Sequence, residues 1–95
     1  MRLRFRRSAL ADVAALHDYI ANSNPRAAKR TVQRIQTSID RLKQFPHIGR
    51  LGAVRGTREL VVGGLPYIVV YEVTSQSVEI IAVFHASIDR DRGTA

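Results

Sequence analysis

The residue types in this chain limit the chemistry that it could perform. The three histidines, His17, His47 and His85, are far apart and have no paired carboxylates around them, so we reject a metal site. Cysteine is absent, and no serine lies in the strained turn of a hydrolase nucleophile. The chemistry that remains is anion binding by arginine. We expect no cofactor.

Arginine dominates the charge of the chain. The sequence has thirteen Arg and two Lys against eight acidic residues, and its formal net charge is +7. Arg binds carboxylates and phosphates through two parallel hydrogen bonds, whereas Lys acts as a point charge. The field of such a chain attracts nucleic acid and acidic protein segments alike. We therefore expect an acidic partner, and charge that serves solubility alone is the alternative.

Length and composition predict one small intracellular domain. Ninety-five residues support a single core, and a hydrophobic content of 45% is typical of globular proteins. The N-terminus lacks the apolar run of a secretory signal, and no window approaches the ~18 apolar residues of a membrane span. We expect a cytoplasmic protein without membrane contact. Residues 1–86 should form the domain, and residues 87–95 a polar tail.

The first half of the chain predicts a strand and then a helical hairpin. Residues 2–6 alternate apolar and arginine side chains, which indicates a half-buried strand. Ser8 is predicted to cap a helix over 9–21, where apolar residues recur every three or four positions. Asn24 and Pro25 predict the cap and first turn of a second, antiparallel helix. The apolar seam of that helix consists of Ala28, Val32, Ile35, Ile39 and Leu42.

The second half predicts a loop followed by an antiparallel sheet. One Pro and three Gly between positions 45 and 56 end the helix and indicate a loop. Segments 58–62, 67–73 and 78–84 are rich in Val, Ile and Tyr and are separated by turn residues, as in a meander. The last two are apolar on both faces, which predicts central strands covered by helices on one side. The predicted fold is α+β, in the order β-α-α-β-β-β, with a helical hairpin packed on a twisted antiparallel sheet.

Five short motifs follow one another along the chain. They are Asn-Pro-Arg-Ala-Ala at 24–28, Phe-Pro-His-Ile-Gly-Arg at 45–50, Gly-Thr-Arg-Glu-Leu at 56–60, Pro-Tyr-Ile-Val-Val-Tyr at 66–71 and Val-Phe-His-Ala at 83–86. The set resembles the ParE-type toxins of the RelE/ParE superfamily, in that family's order and spacing over residues 8–86. No single motif is specific. The resemblance implies the same fold that the periodicities predict.

The resemblance also implies a function, as the toxin of a type II toxin–antitoxin system, a class linked to plasmid stabilization. A ParE-type toxin inhibits DNA gyrase and stalls it on cleaved DNA, without being an enzyme itself. Its antitoxin would be ParD-like, with a ribbon-helix-helix or similar domain, and operator DNA would be bound only through that antitoxin. The alternative is a ribosome-dependent messenger RNA endoribonuclease of the RelE type. A third hypothesis is an inactive relative of these toxins.

Two positions match the nuclease branch, with Arg58 at a strand Arg and His85 near a terminal His or Tyr. Strand 66–71 is uncharged where that branch carries a further Arg, which favours gyrase inhibition over phosphate chemistry. The target-binding candidates are Arg58, Tyr67, Tyr71 and His85, and the catalytic candidates for a nuclease are Arg58 and His85. Each of these residues also has a structural alternative. Arg58 could form an ion pair, His85 could be a solvated residue at a strand end, and the tyrosines could pack at the edge of the core.

The second predicted helix also has a basic face. Arg26, Arg30, Arg34 and Arg41 lie away from its apolar seam. Like charges four residues apart on a helix cost about 0.2–0.5 kcal/mol, which suggests that an acidic partner neutralises them. An antitoxin segment with carboxylates and apolar anchors would suit this face, so these four residues are the antitoxin-binding candidates. A solvated helix surface is the alternative.

Overall fold

A computed structural model describes residues 1–87 and contains two long helices and a five-stranded sheet. The elements are β1 (Arg2–Phe5), α1 (Arg7–Ala21), α2 (Pro25–Asp40), a 3-10 helix (Arg41–Lys43), β2 (Arg50–Leu51), β3 (Arg58–Val61), β4 (Tyr67–Val73) and β5 (Ser77–His85). Apart from Ser87, the tail predicted over 87–95 lies outside the described residues. Neither of the long helices is long and apolar enough to cross a membrane.

The sheet is mixed, so the prediction of a wholly antiparallel sheet is wrong in one pairing. The strand order is β1-β5-β4-β3-β2. The meander of β3, β4 and β5 is antiparallel as predicted. However, β1 pairs in parallel with β5, because the chain passes through the helical hairpin and the meander before it returns beside β1. The predicted α+β class, with a helical hairpin on one side of a sheet, is confirmed.

A short strand lies inside the segment that the sequence predicts as a loop. Arg50 and Leu51 form β2, which pairs antiparallel with Glu59 and Arg58 of β3. Two residues are too few to show an alternating pattern, and the glycines on either side favour a loop prediction. The sequence therefore does not predict β2, which forms one edge of the sheet.

The prediction that Ser8 caps the first helix is wrong. The N-cap of α1 is Arg6, whose side chain makes no capping hydrogen bond. The Ser8 hydroxyl donates instead to the carbonyl of Ile81, and one turn later a carboxylate oxygen of Asp12 accepts from the Val83 amide at 3.0 Å. Strand β1 pairs with β5 only as far as Ile80, so α1 takes over the hydrogen bonding of this edge of β5.

The second helix begins and packs as its sequence predicts. The Asn24 side chain accepts a hydrogen bond from the Ala27 amide at 3.0 Å, and Pro25 occupies the first helical position. Most of its apolar seam is buried against the sheet, although Val32 is only half-buried. The largest fully buried side chains of the core are Tyr71, Ile35, Ile39, Leu42, Ile80, Val62, Val69 and Val78.

Candidate functional site

Arg58 holds the loop that precedes β2. It lies at the start of β3, opposite Tyr71 of β4. Its Nη1 donates to the carbonyl oxygen of Gly49 at 2.8 Å and to that of His47 at 3.3 Å. The Tyr71 hydroxyl accepts from the Gly49 amide at 2.9 Å. Both backbone polar groups of Gly49 are therefore bound by side chains from the sheet, and Arg58 and Tyr71 fix the position of the loop.

Gly49 allows the loop to lie directly against Tyr71. A Cβ at this position would be 2.6 Å from the Tyr71 hydroxyl oxygen and 2.9 Å from the carbonyl oxygen of Glu59. Tyr71 itself is fully buried. Burial raises the pKa of its hydroxyl above the ordinary value, and the hydrogen bond from Gly49 and the charge of Arg58 offset part of this. The hydroxyl therefore stays neutral at physiological pH.

The rest of the loop is fastened by Glu59 and Thr57. The Glu59 carboxylate pairs with Arg50 at 3.1 Å and accepts from the Ala53 amide at 3.4 Å. The Thr57 carbonyl accepts from the Gly52 amide at 2.8 Å, and the Thr57 hydroxyl donates to the carbonyl of Val54 at 2.6 Å. We call residues 45–57 the braced loop, because side chains of the sheet and of the loop itself hold its backbone.

The braced loop exposes large apolar side chains in spite of this fixed backbone. Phe45 is 54% exposed, Ile48 42%, Leu51 77% and Val54 47%. They are four of the eight exposed large hydrophobic residues in the part of the chain that the structure describes. Segment 41–58 has no carboxylate of its own, so its charged residues are all basic, although Glu59 pairs with Arg50 and Glu72 lines a pocket with Val54 and Arg55. The surface is therefore apolar and positively charged.

Tyr67 and His85 lie at the other end of β4. They are cross-strand neighbours, and their rings meet edge to face with centroids 5.4 Å apart. The Nδ1 atom of His85 accepts from the Ser87 amide at 3.2 Å, and Tyr67 is only 9% exposed. Tyr67 and Tyr71 are four positions apart, a distance of about 13 Å along a strand. The structure therefore does not bring His85 and Arg58 together.

The basic face of α2 is open. Arg26, Arg30 and Arg41 are exposed and make no side-chain hydrogen bond or ion pair within residues 1–87. Arg34 differs, since its guanidinium donates to the carbonyl of Gly63 in the β3–β4 turn. Three of the four antitoxin-binding candidates therefore have their hydrogen-bonding capacity available for a partner.

An apolar groove lies beside the helical hairpin, at the β1 edge of the sheet. Its volume is about 420 Å³, and its apolar walls come from β1, α1 and α2. The lining residues are Phe5, Leu10, Val13, Ala14, His17, Asp18, Val32 and Gln36. Leu10 of this lining is 55% exposed. Nothing in this groove could hold a metal, since no suitable group of ligands exists within residues 1–87.

Sequence reasoning missed the surface of the braced loop and the contacts that hold it. The signal for the exposed side chains was present, because apolar residues occur at every third position from 45 to 54. That spacing fits neither a helix nor a strand, and so it predicts nothing about secondary structure. No sequence pattern could indicate the bonds from Arg58 to the loop carbonyls.

Comparisons with known proteins agree with this fold. The family described as the ParE toxin of type II toxin-antitoxin system, parDE, matches residues 3–90. A protein of Sinorhizobium fredii named Putative toxin Y4kP is 42% identical over 85 residues, which cover 90% of this chain and 88% of that protein. Toxin RelE2 of Caulobacter vibrioides is 43% identical over 79 residues, which cover 83% of this chain and 88% of that protein.

A solved structure is also similar. It is described as a chromosomal ParDE TA system from P. aeruginosa, with a TM-score of 0.73 and 26% identity. The similarity covers 90% of this chain and 95% of that one. Fold and relatives together define a toxin of a type II toxin–antitoxin system. Within that class, the chain belongs to the ParE toxin family.

Proposed function

We propose that this toxin inhibits DNA gyrase rather than cleaving RNA. The observation that carries the proposal is the environment of Arg58, whose Nη1 is occupied by the carbonyl oxygens of Gly49 and His47. These bonds direct Nη1 at the loop, so only Nη2 and Nε of Arg58 remain to stabilise charge on a phosphate. The distance of about 13 Å along β4 between the partners of Arg58 and His85 also argues against a joint catalytic site. Inhibition by binding requires neither group to be catalytic.

We further propose that a ParD-like antitoxin, with a ribbon-helix-helix or similar domain, covers α2 and the adjacent groove. Arg26, Arg30 and Arg41, which have no side-chain partner within residues 1–87, offer their guanidinium groups to carboxylates. Leu10 and the groove beside it would receive apolar anchors of the same segment. The complex would bind operator DNA only through the antitoxin. Both partners would act in the cytoplasm, and a plasmid that encodes them would be stabilised.

Purified proteins can separate the two mechanisms. We expect the toxin to block supercoiling by gyrase and to cause cleaved DNA to accumulate, and an equimolar amount of antitoxin to restore supercoiling. Messenger RNA on translating ribosomes should remain intact in a parallel reaction. The name of the Caulobacter relative, Toxin RelE2, makes the second assay a necessary control. Cleavage of messenger in the ribosomal A site, with gyrase unaffected, would overturn the proposal and make Arg58 and His85 catalytic candidates.

Induced expression tests the same proposal in cells. A gyrase inhibitor that traps cleaved DNA should produce filamentous cells and an induced DNA-damage response before protein synthesis falls. Co-expression of the antitoxin should restore growth. Arrest of translation without DNA damage would contradict the proposal, and normal growth without antitoxin would indicate an inactive relative.

A further inference from the structure

We propose that the braced loop is the surface through which the toxin binds its protein target, and that the antitoxin binds elsewhere. This inference rests on the proposed function in one respect, because it requires an antitoxin and a toxic target. It does not require that target to be gyrase. The target surface that fits the braced loop is an apolar recess bordered by carboxylates.

The loop is suited to binding because it is both apolar and fixed. Exposed Leu51, Ile48 and Phe45 are costly to leave in water, and large exposed apolar patches usually mark interaction sites. Arg58 and Tyr71 hold the loop backbone from the sheet side. A loop that is already ordered loses little conformational entropy on binding, so more of the contact energy appears as affinity.

The charge around the loop indicates the chemistry of its partner. Lys43 and Arg55 make no side-chain hydrogen bond or ion pair within residues 1–87, and segment 41–58 has no carboxylate of its own. The Arg50 side chain is paired with Glu59 but remains 61% exposed. Nucleic acid is a poorer fit, since single strands bind through aromatic stacking and only Phe45 among the exposed apolar side chains of the braced loop is aromatic. An acidic protein surface satisfies both the aliphatic and the basic groups.

The braced loop and the groove are built on opposite edges of the sheet. They approach each other at two points, since Arg55 of the loop lines a pocket with Arg6 and the Phe45 amide donates to the carbonyl of Arg41. The groove includes Phe5 of β1, whereas the loop contains β2, and these two strands form opposite edges of the five-stranded sheet. Four strand spacings separate them, or about 19 Å. Along α2, Arg26 and Asp40 are about 20 Å apart, and the loop begins beyond the Asp40 end. A single residue change can therefore affect one surface without the other.

Three glutamate substitutions at exposed apolar positions test this separation. Leu51→Glu alters the braced loop, Leu10→Glu alters the groove, and Tyr19→Glu changes a residue of α1 that is 73% exposed and lines neither. The toxicity of each variant is measured in cells on induction without antitoxin. Its antitoxin affinity and its thermal midpoint are measured on the purified protein. We expect Leu51→Glu to abolish toxicity and keep antitoxin affinity within about twofold. Leu10→Glu should weaken antitoxin binding about tenfold or more and stay toxic, and Tyr19→Glu should match the wild type.

Arg55→Glu provides a second test that leaves the apolar side chains in place. Arg55 is exposed and has no side-chain partner in the described part of the chain, so reversal of its charge should reduce toxicity and target binding about tenfold while the thermal midpoint is unchanged. If Leu51→Glu lowers the thermal midpoint, Arg55→Glu decides the outcome. Full toxicity of both variants would overturn the inference. Loss of antitoxin binding by either variant at an unchanged midpoint would overturn it as well, and would assign the loop to the antitoxin.

The remaining outcomes separate this inference from the proposed function. A toxic wild type that leaves gyrase unaffected overturns gyrase inhibition alone, since toxicity still reports on the loop. Gyrase inhibition that persists in Leu51→Glu and Arg55→Glu overturns the loop assignment alone. Loop-dependent binding to DNA without protein would replace the acidic protein surface by nucleic acid and overturn the inference. A harmless wild type overturns both proposals.

Discussion

Arginines in two regions of this toxin have opposite environments. Arg58 of β3 donates to two backbone carbonyls and fixes the braced loop from the sheet side. Arg26 and Arg30 of α2 are exposed, lie one turn apart and have no side-chain partner in the described part of the chain. The first stabilises the toxin itself, whereas the guanidinium groups of the other two are available to a second molecule. Residue type alone therefore does not reveal which arginine serves the fold and which serves a partner.

Gly49→Ala should give the largest loss of stability, because it breaks the region that Arg58 holds. The new methyl group would lie 2.6 Å from the Tyr71 hydroxyl oxygen and 2.9 Å from a backbone oxygen, and backbone cannot move aside easily. We expect the free energy of unfolding to fall by about 2–3 kcal/mol. Gly63→Ala is the matched control, since its Cβ would meet nothing within 4 Å. Equal thermal midpoints for the two variants would show that the loop is not held against Tyr71.

Arg58→Ala should follow in magnitude. It removes two hydrogen bonds from a charged donor, and we expect a loss of about 1.5–3 kcal/mol in denaturant titrations. Toxicity should decline as well, because the braced loop would lose its support, while antitoxin affinity per folded molecule is retained. A variant as stable as the wild type but without toxicity would instead place Arg58 in direct contact with the target.

Tyr71→Phe isolates one hydrogen bond of the same region. The change leaves the Gly49 amide without its acceptor, which should cost about 1–2 kcal/mol with little change in packing. The comparison with Arg58→Ala is informative, because the two side chains bind opposite polar groups of one residue. If the loop is held by both, the double variant should lose less than the sum of the single losses. Strict additivity would mean that the two bonds act independently.

The raised pKa of Tyr71 predicts how stability depends on alkaline pH. An unfolded tyrosine loses its proton near pH 10, and the buried hydroxyl keeps its proton to higher pH. Between the two pKa values the unfolded state binds fewer protons, so stability falls as the pH rises. The contribution is complete below about pH 10 and is lost as the pH rises through the folded pKa. Tyr71→Phe should therefore lose less stability than the wild type above about pH 10.

Paired substitution of Arg26 and Arg30 by Ala should have the smallest effect on the isolated toxin. Alanine and arginine have similar helix propensities, and the change removes a repulsion between like charges worth about 0.2–0.5 kcal/mol. Stability should stay within about 0.5 kcal/mol of the wild type or rise slightly. A clear loss of stability would mean that these arginines support the fold, and the contrast with Arg58 would disappear.

Local patterns predicted most of the fold. The spacing of three and four residues in α1 and α2 reports directly on the buried face of each helix, and Asn24 with Pro25 marks the start of α2. The strands of the meander were also recognisable, since β-branched residues and turns alternate there. Such features depend on neighbours within a few positions, which a sequence displays.

Contacts between distant residues were not predictable in the same way. The sequence predicts Ser8 as a helix cap, but its hydroxyl donates a hydrogen bond to the carbonyl of a residue 73 positions away. Strand β1 pairs with β5 in parallel, and nothing in residues 2–6 specifies the partner or its direction. Arg58 was selected for chemistry, although the carbonyls that it binds belong to an irregular loop. Such contacts depend on the completed fold. The sequence shows that a position is an arginine, but it does not show which group accepts the hydrogen bonds of that arginine.

We propose that Arg26 and Arg30 of α2 bind the antitoxin, while Arg58 supports the toxin from within. Titration calorimetry distinguishes these two roles. The cognate antitoxin is added to wild-type toxin, to Arg58→Ala and to the Arg26→Ala/Arg30→Ala double variant. We expect the double variant to bind about tenfold more weakly, with a smaller dependence on salt, and Arg58→Ala to bind as the wild type does. Weakened binding by Arg58→Ala, together with wild-type affinity of the helix variant, would contradict the account.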